Sequence, residues 1–226
     1  MGDVSSALSP CPRCKRLFDT IYSMTKIKYI SRRDDKNLKP WIRFGAPNKN
    51  EYEKWNPQVC GICCLKMIGD THGLTTNASL YQLTMACKQK GGFKELPGGE
   101  IQGVFYKPLL ELARNYGLEG KIEKRLTMEE IIGSIKGGKL VVLSIAKSKV
   151  NPSLKGGHLI LVHAYDPKAE TFLVHDPEPI LAKDGQNIKV GTERLEEISN
   201  KRGLVIWQRR DLAHFKSLTS PFRFYF

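Results

Sequence analysis

Trp55-Asn56-Pro57-Gln58-Val59-Cys60-Gly61-Ile62-Cys63-Cys64-Leu65-Lys66-Met67-Ile68 reads as a loop that turns straight into a helix at its first cysteine. Asn56-Pro57 is a turn signal, because proline biases its predecessor away from helix. Ile62, Leu65, Met67 and Ile68 then supply an apolar helix with no solvent face, which predicts burial. A cysteine at the mouth of such a helix meets unpaired backbone N–H groups and the positive end of the dipole, and both stabilise a thiolate. Gly61 lets a substrate backbone approach the sulfur closely. The plainer reading, a buried structural thiol, suits Cys63 and Cys64, since free cysteine is among the most buried residue types.

A second stretch gives Cys60 partners. Gly156-Gly157-His158-Leu159-Ile160-Leu161-Val162-His163-Ala164-Tyr165-Asp166 is followed by Thr171-Phe172-Leu173-Val174-His175-Asp176-Pro177. These are two strands joined by a polar turn, so the start of one lies beside the end of the other. His158 opens the first strand and Asp176 closes the second, an arrangement that predicts cross-strand neighbours. A thiolate, an imidazole that shuttles the proton and a carboxylate that fixes its tautomer make a nucleophilic site in that chain order. Among the other histidines, His175 is the competing base, His163 reads as structural, and His72 and His214 have no motif around them.

Cys60-Gly61-x-x-Cys64-Leu65-x-Met67-Ile68 resembles the signature of the bacteriocin-processing, double-glycine-leader cysteine peptidases. Gly157-His158 with its apolar strand and Tyr165-Asp166, then Asp176-Pro177, resembles their later motifs, so the likeness covers roughly residues 52 to 180. It implies a papain-like α+β fold, a Cys60 nucleophile, a His158 base and an Asp176 orienter. One position departs from the pattern. Where papain-like peptidases commonly carry an oxyanion-donating glutamine, six residues before the cysteine, this chain has Lys54. Gln58 and Asn56 are the alternative oxyanion donors, with Gly61 and Gly157 the positions of close substrate approach.

The chain has 226 residues, 41% hydrophobic and 26% charged, enough for one domain with a decorated end. We divide it into a basic N-terminal extension, residues 1–50, and a peptidase-like domain, residues 51–226. No run approaches the roughly 20 apolar residues of a membrane span. Residues 1 to 23 hold no continuous apolar run that would serve as a signal peptide. The expected compartment is the reducing cytoplasm, with free thiols. Met1-Gly2 with Ser6 matches a myristoylation pattern only formally, and Asp3 argues against it. Cys11-Pro12-Arg13-Cys14 lacks a second pair to complete a zinc site, and neither a metal nor a cofactor is expected.

The net charge is +13, concentrated between Arg13 and Arg43 and again from Lys201 to Arg223. Such charge steers acidic partners. A peptide or amide substrate, acidic or carrier-bound, fits it better than a nucleic acid, because no recognised nucleic-acid motif accompanies it.

The remaining pattern places helices first and strands second. Residues 25–31 alternate as a short strand, and 32–54 read as loop. Asn77 caps a helix to about Gln89, and the glycines at 91–92 and 98–99 bracket a flexible loop. A helix runs from Pro108 to Tyr116, and Thr127 to Glu130 form a capping box for another. Leu140 to Ala146 is a central strand, with others at 188–190 and 204–208, and the chain ends in an aromatic run from Ser220 to Phe226. The expected chemistry is acyl transfer through a Cys60 thioester: to water as a cysteine peptidase or amidase, or to an amine as an acyltransferase. A catalytically silent peptide-binding module is the alternative.

Overall fold

The computed structural model describes residues 22–23, 26–33 and 39–209. Two short helices, α1 (Pro40–Phe44) and α2 (Lys49–Trp55), lead through a 3-10 turn (Asn56–Gln58) into α3 (Cys60–Thr71). Next come α4 (Leu80–Gln89), the hairpin β2 (Phe93–Glu95) and β3 (Ile101–Gly103), and α5 (Tyr106–Asn115). β4 (Leu118–Glu123), α6 (Met128–Lys136), β5 (Leu140–Ala146) and the single turn α7 (Lys147–Val150) follow. β6 (Gly157–Asp166), β7 (Thr171–His175), β8 (Ile188–Gly191), α8 (Thr192–Ile198) and β9 (Ser199–Gln208) complete the described order. With β1 (Tyr22–Ser23) paired to β6, the strands form a seven-stranded antiparallel sheet of order β4-β9-β5-β6-β7-β8. This is the α+β, papain-like architecture expected: a helical lobe, then an antiparallel sheet.

Alternation along the central strands explains why the sheet is apolar on both faces. Leu140, Val142, Leu159 and Leu161 pack with α3, α4 and α5 on one side. Val141, Leu143, Ile145 and Ile160 pack with Met128 and Ile131 of α6 and with Leu195 and Ile198 of α8 on the other. A strand covered on both faces is apolar along its length, and Leu140–Ala146 is so except at Ser144, whose hydroxyl is hydrogen-bonded to Asn200. α3 is buried almost all round, with Ile62, Cys63, Cys64, Leu65, Met67 and Ile68 inaccessible to solvent.

Several boundaries differ from the sequence reading for local reasons. Residues 26–31 form no strand, and 40–44 and 49–55 are helical rather than loop. Their signals are Pro40 at the first helical position, Gly45 in left-handed conformation (φ 81°) at the end of α1, and the Asn48 side chain accepting from Glu51 N–H at the start of α2. Ser79, not Asn77, caps α4 through a reciprocal box with Gln82. The glycine-bracketed stretch is the β2–β3 hairpin. The capping box at Thr127 forms as read. Residues 1–21, with Cys11 and Cys14, and the aromatic run at 220–226 lie outside the described residues.

Residues 26–33 lie against the sheet end of the molecule. Arg32 N–H donates to Pro177 O (2.9 Å), and Ile27 is buried.

Two glycines predict opposite responses to alanine. A Cβ at Gly203 would overlap the Val142 carbonyl oxygen across the β5–β9 ladder. Gly203→Ala is therefore expected to destabilise by about 2 kcal/mol in urea unfolding. Gly133 is exposed in α6 with open space at its Cβ position. Gly133→Ala is expected to stabilise by about 0.5–1 kcal/mol in the same measurement.

Candidate active site

Cys60 is the first residue of α3, preceded by Val59, whose side chain makes no cap. The N–H groups at the start of that first turn therefore have no side-chain partner. Gly61 and Leu159 engage it through their backbones. Burial alone would raise the Cys60 thiol, but the hydrogen bond and charge of His158, with the Leu159 and Gly61 backbone, outweigh it and hold the thiol below its ordinary value. Cys63 and Cys64, in the same helix turn, lack the imidazole, and at Cys63 the charges of Arg32 and Lys66 do not offset burial. Burial pushes both thiols up, and Cys64 Sγ donates to Leu159 O (3.6 Å) as a packed structural thiol.

His158 opens β6 and is 2% exposed. Its Nε2 lies 2.6 Å from Asp176 Oδ1. The register pairs Leu161 with His175, so His158 and Asp176 are not opposite one another in the ladder. Asp176 follows the last residue of β7, and its side chain reaches across. With Nε2–H given to the carboxylate, Nδ1 is left free. It is buried without a hydrogen bond of ordinary geometry and stands 3.9 Å from Glu178 Oε2. Burial works against the imidazolium, but Asp176 and Cys60 overcome it and raise His158 to about 9.

The Asp176 carboxylate is inaccessible to solvent. Its Oδ1 also accepts from Glu178 N–H (3.0 Å), and its Oδ2 accepts from Ile180 N–H (2.9 Å) and Leu181 N–H (3.1 Å). Its backbone is held as well: Tyr29 Oη donates to its carbonyl (2.9 Å), and its N–H donates to Gly185 O (2.7 Å). His175, the competing base, is fixed elsewhere. Its Nδ1 accepts from Asn187 N–H (3.0 Å), and its Nε2 donates to Ile27 O (3.3 Å).

The remaining expected residues separate. Gln58 lines a cavity of about 580 Å³ together with Cys60, His158 and Gly157. Asn56 is absent from that lining, and its carbonyl accepts from Arg32 Nη1 (3.1 Å). Lys54 is exposed on α2, bonds Glu95 Oε2 (3.3 Å) and lies over the Trp55 ring. Gly61 is buried, and a Cβ there would collide with Val104 and approach Leu159 and Leu109. Core packing, rather than an incoming substrate backbone, requires glycine at that position. Gly157 is exposed at the cleft, as expected.

Sequence reasoning missed Glu178. It receives Lys147 Nζ (2.7 Å) and the Arg32 guanidinium, and borders His158. Burial raises this carboxyl, but Lys147, Arg32 and His158 together hold it below the usual range. The signal was its place in Asp176-Pro177-Glu178; Arg32 carried none. A second cavity, about 450 Å³, continues the cleft past Cys60 and His158 to Tyr106, Ser144 and Arg202. A cavity of about 230 Å³ between residues 28–32 and the helices contains none of Cys60, His158 and Asp176. Among the described residues no cluster of His, Cys, Asp or Glu would hold a metal ion, and no helix is long and apolar enough to cross a membrane.

A helix-borne cysteine facing a strand-borne histidine across a cleft, on this topology, defines the papain-like class. A profile of the Peptidase_C39-like family matches residues 44–202, and the chain belongs to that family. At family level it stands among the cysteine-peptidase-type hydrolases. A C39-like peptidase from Bacillus anthracis shares the fold at 17% identity, covering 84% of this chain and 99% of that one (TM-score 0.56). Two further similar structures are a double-glycine-motif protease from an AMS/PCAT transporter, solved with a leader peptide, and the peptidase domain of Streptococcus ComA, a bifunctional ABC transporter. Each is 16% identical; they cover 82% and 67% of this chain, and 94% and 93% of their own, with TM-scores 0.49 and 0.48. No curated protein matches.

The Asp176 contact predicts a titration. Asp176→Asn removes the charge beside His158, so its midpoint in an NMR pH titration falls from about 9 into the ordinary histidine range or below.

Proposed function

We propose that this protein is a cysteine peptidase or amidase whose nucleophile, base and orienting carboxylate are Cys60, His158 and Asp176. The observation that carries the reading is the bond of His158 Nε2 to Asp176 Oδ1 at 2.6 Å, which leaves Nδ1 to pair with a thiol held below its ordinary value. In the resting enzyme the proton sits on His158 and the charge on Cys60. The thiolate attacks the scissile carbonyl carbon, and its C=O pair moves to oxygen. Backbone N–H groups at the start of α3, with the Gln58 amide, stabilise that oxyanion. As the C–N bond breaks, His158 delivers its proton to the leaving nitrogen, and a Cys60 thioester remains. Neutral His158 then takes a proton from water, whose oxygen displaces the sulfur and frees the acid. Asp176 keeps one imidazole tautomer throughout and stabilises the cation.

The substrate class is a peptide or amide, with acidic or carrier-bound forms favoured by the basic surface, and the compartment is the cytoplasm. The cleft is open on both sides of Cys60, so an amine in place of water gives an acyltransferase with the same groups. Product mass separates the two: a free acid from hydrolysis, a new amide from transfer.

The test is the rate of Cys60 alkylation by iodoacetamide against pH, read by intact mass and peptide mapping. The expected result is fast labelling below pH 7, slowed in His158→Ala. Labelling that rises only near pH 8.5, the model-thiol value, and ignores His158 would sink the catalytic reading and leave a peptide-binding module. For hydrolysis, kcat/KM falls on the alkaline side as His158 loses its proton near pH 9. On the acid side it falls as the thiolate is protonated. Gln58→Ala is expected to lower kcat about 10²–10³-fold with the pH profile unchanged.

A further inference from the structure

The cavity beyond Cys60 has apolar walls and a charged end. Val104 and Phe105 line one side and Leu159 the other, with Phe105 left 40% exposed. Buried Ser144 accepts from Asn200 Nδ2 (3.0 Å), and the Tyr106 hydroxyl lies close to both Ser144 and Arg202. Arg202 stands exposed beside this polar shelf at the cavity's edge. Arg32, Arg114, Arg194 and Arg209 all reach a glutamate. Arg202 forms no ion pair among the described residues, although it occupies the same cleft as the nucleophile. A guanidinium without a carboxylate presents a planar fork that matches one.

We propose that Arg202 is a specificity-determining residue: it receives the carboxylate of an Asp or Glu side chain of the substrate, close to the bond under attack. The Tyr106 hydroxyl orients the guanidinium. Phe105 and Val104 flank the methylene stem of the bound residue, which favours a side chain with an apolar stem and an anionic end. The inference rests on the reading of Cys60 as the attacking group. It adds a chemical class to the residue that lies beside it. The opposite cavity is unlike this one. There Lys147 and Arg32 are both paired to Glu178, and Glu100 adds a second negative charge. Lys155, at that far end, is the rival cation.

Two series of α-chloro electrophiles test it. Peptidyl chloromethyl ketones present a variable residue on the acyl side, and chloroacetyl peptides present it on the leaving-group side. Each carries Glu, Ala or Lys within two positions of the reactive carbon. The rate of Cys60 alkylation is read by intact mass at pH 9, where even an ordinary thiol reacts, so the side-chain preference is measured whether or not Cys60 is activated. Iodoacetamide, which has no side chain, reports on the nucleophile separately. The expected result is that Glu probes of one series react about tenfold faster than Lys probes, as for a charge-assisted pair. Arg202→Ala brings the ratio near one, Arg202→Glu reverses it, and Lys155→Ala leaves it. Equal rates in both series, a preference that survives Arg202→Ala, or one abolished by Lys155→Ala overturns the proposal. A slow iodoacetamide reaction with the Glu preference intact overturns only the catalytic reading.

Discussion

A solvent-free carboxylate must find hydrogen-bond donors, and the donors that Asp176 finds organise one end of this molecule. Its oxygens take the amides of Glu178, Ile180 and Leu181 and the Nε2 of His158. Leaving such a charge unpaired costs several kcal/mol, so these contacts act together or not at all. Three of them set the path of the chain after β7. The fourth sets the imidazole tautomer. The backbone of the same residue ties in Tyr29 and Gly185. A Cβ at Gly185 would overlap both the Asp176 carbonyl and the Tyr29 hydroxyl, so the loop closes there only as glycine. One residue thereby couples the geometry of the site to the segment at 26–33.

The helix that presents Cys60 is held by a different force. Its body is inside the core, and Gly61 allows it to approach Val104 and Leu159 closely. That packing places the helix mouth at the edge of β6, where His158 begins. The cysteines of this core show how completely the surroundings decide thiol chemistry. Cys60, Cys63 and Cys64 fall within five residues on one helix, yet only Cys60 has an imidazole beside it and a thiol held down. Burial outweighs the more distant cations and drives the others up, as it does Cys87, to about 12.

Legibility in the sequence followed the range of the interactions involved. The α3 helix, the capping box at Thr127 and the strands at 140–146 and 171–175 were readable because apolar periodicity and caps are local. β4 was missed because Gly120 stands where its alternation would place an apolar side chain; its identity comes from pairing with β9, some eighty residues away. α8 was missed because Gly191, its N-terminal flank, offers no side-chain cap. Within the site, Cys60, His158 and Asp176 are marked by position: a helix mouth, a strand start and a strand end. Glu178 is marked only by its place two residues after Asp176, and Arg32 and Arg202 only by what faces them in space. Gly61 was legible as a glycine and misread as to cause, since a close approach in sequence does not say whether core or substrate is approaching.

The distribution of charge explains why the two ends of the cleft serve different purposes. Arg32 and Lys147 converge on Glu178, and Arg33 adds a longer contact at 3.6 Å. Those cations hold a carboxyl close to His158. They also lock Arg32, a residue of the N-terminal segment, over the loop that follows Asp176, reinforced by Arg32 N–H on Pro177 O and Nη1 on Asn56 O. Asn56 begins the turn that delivers Cys60. The same side chain thus touches the turn before Cys60 and the loop after Asp176, which makes the segment at 26–33 a strut between them rather than an ornament. A chain with a net charge of +13 has cations to spare on its surface. In this cleft Arg32 and Lys147 face a carboxylate of the protein, whereas Arg202 faces none among the described residues, and that difference is what singles it out.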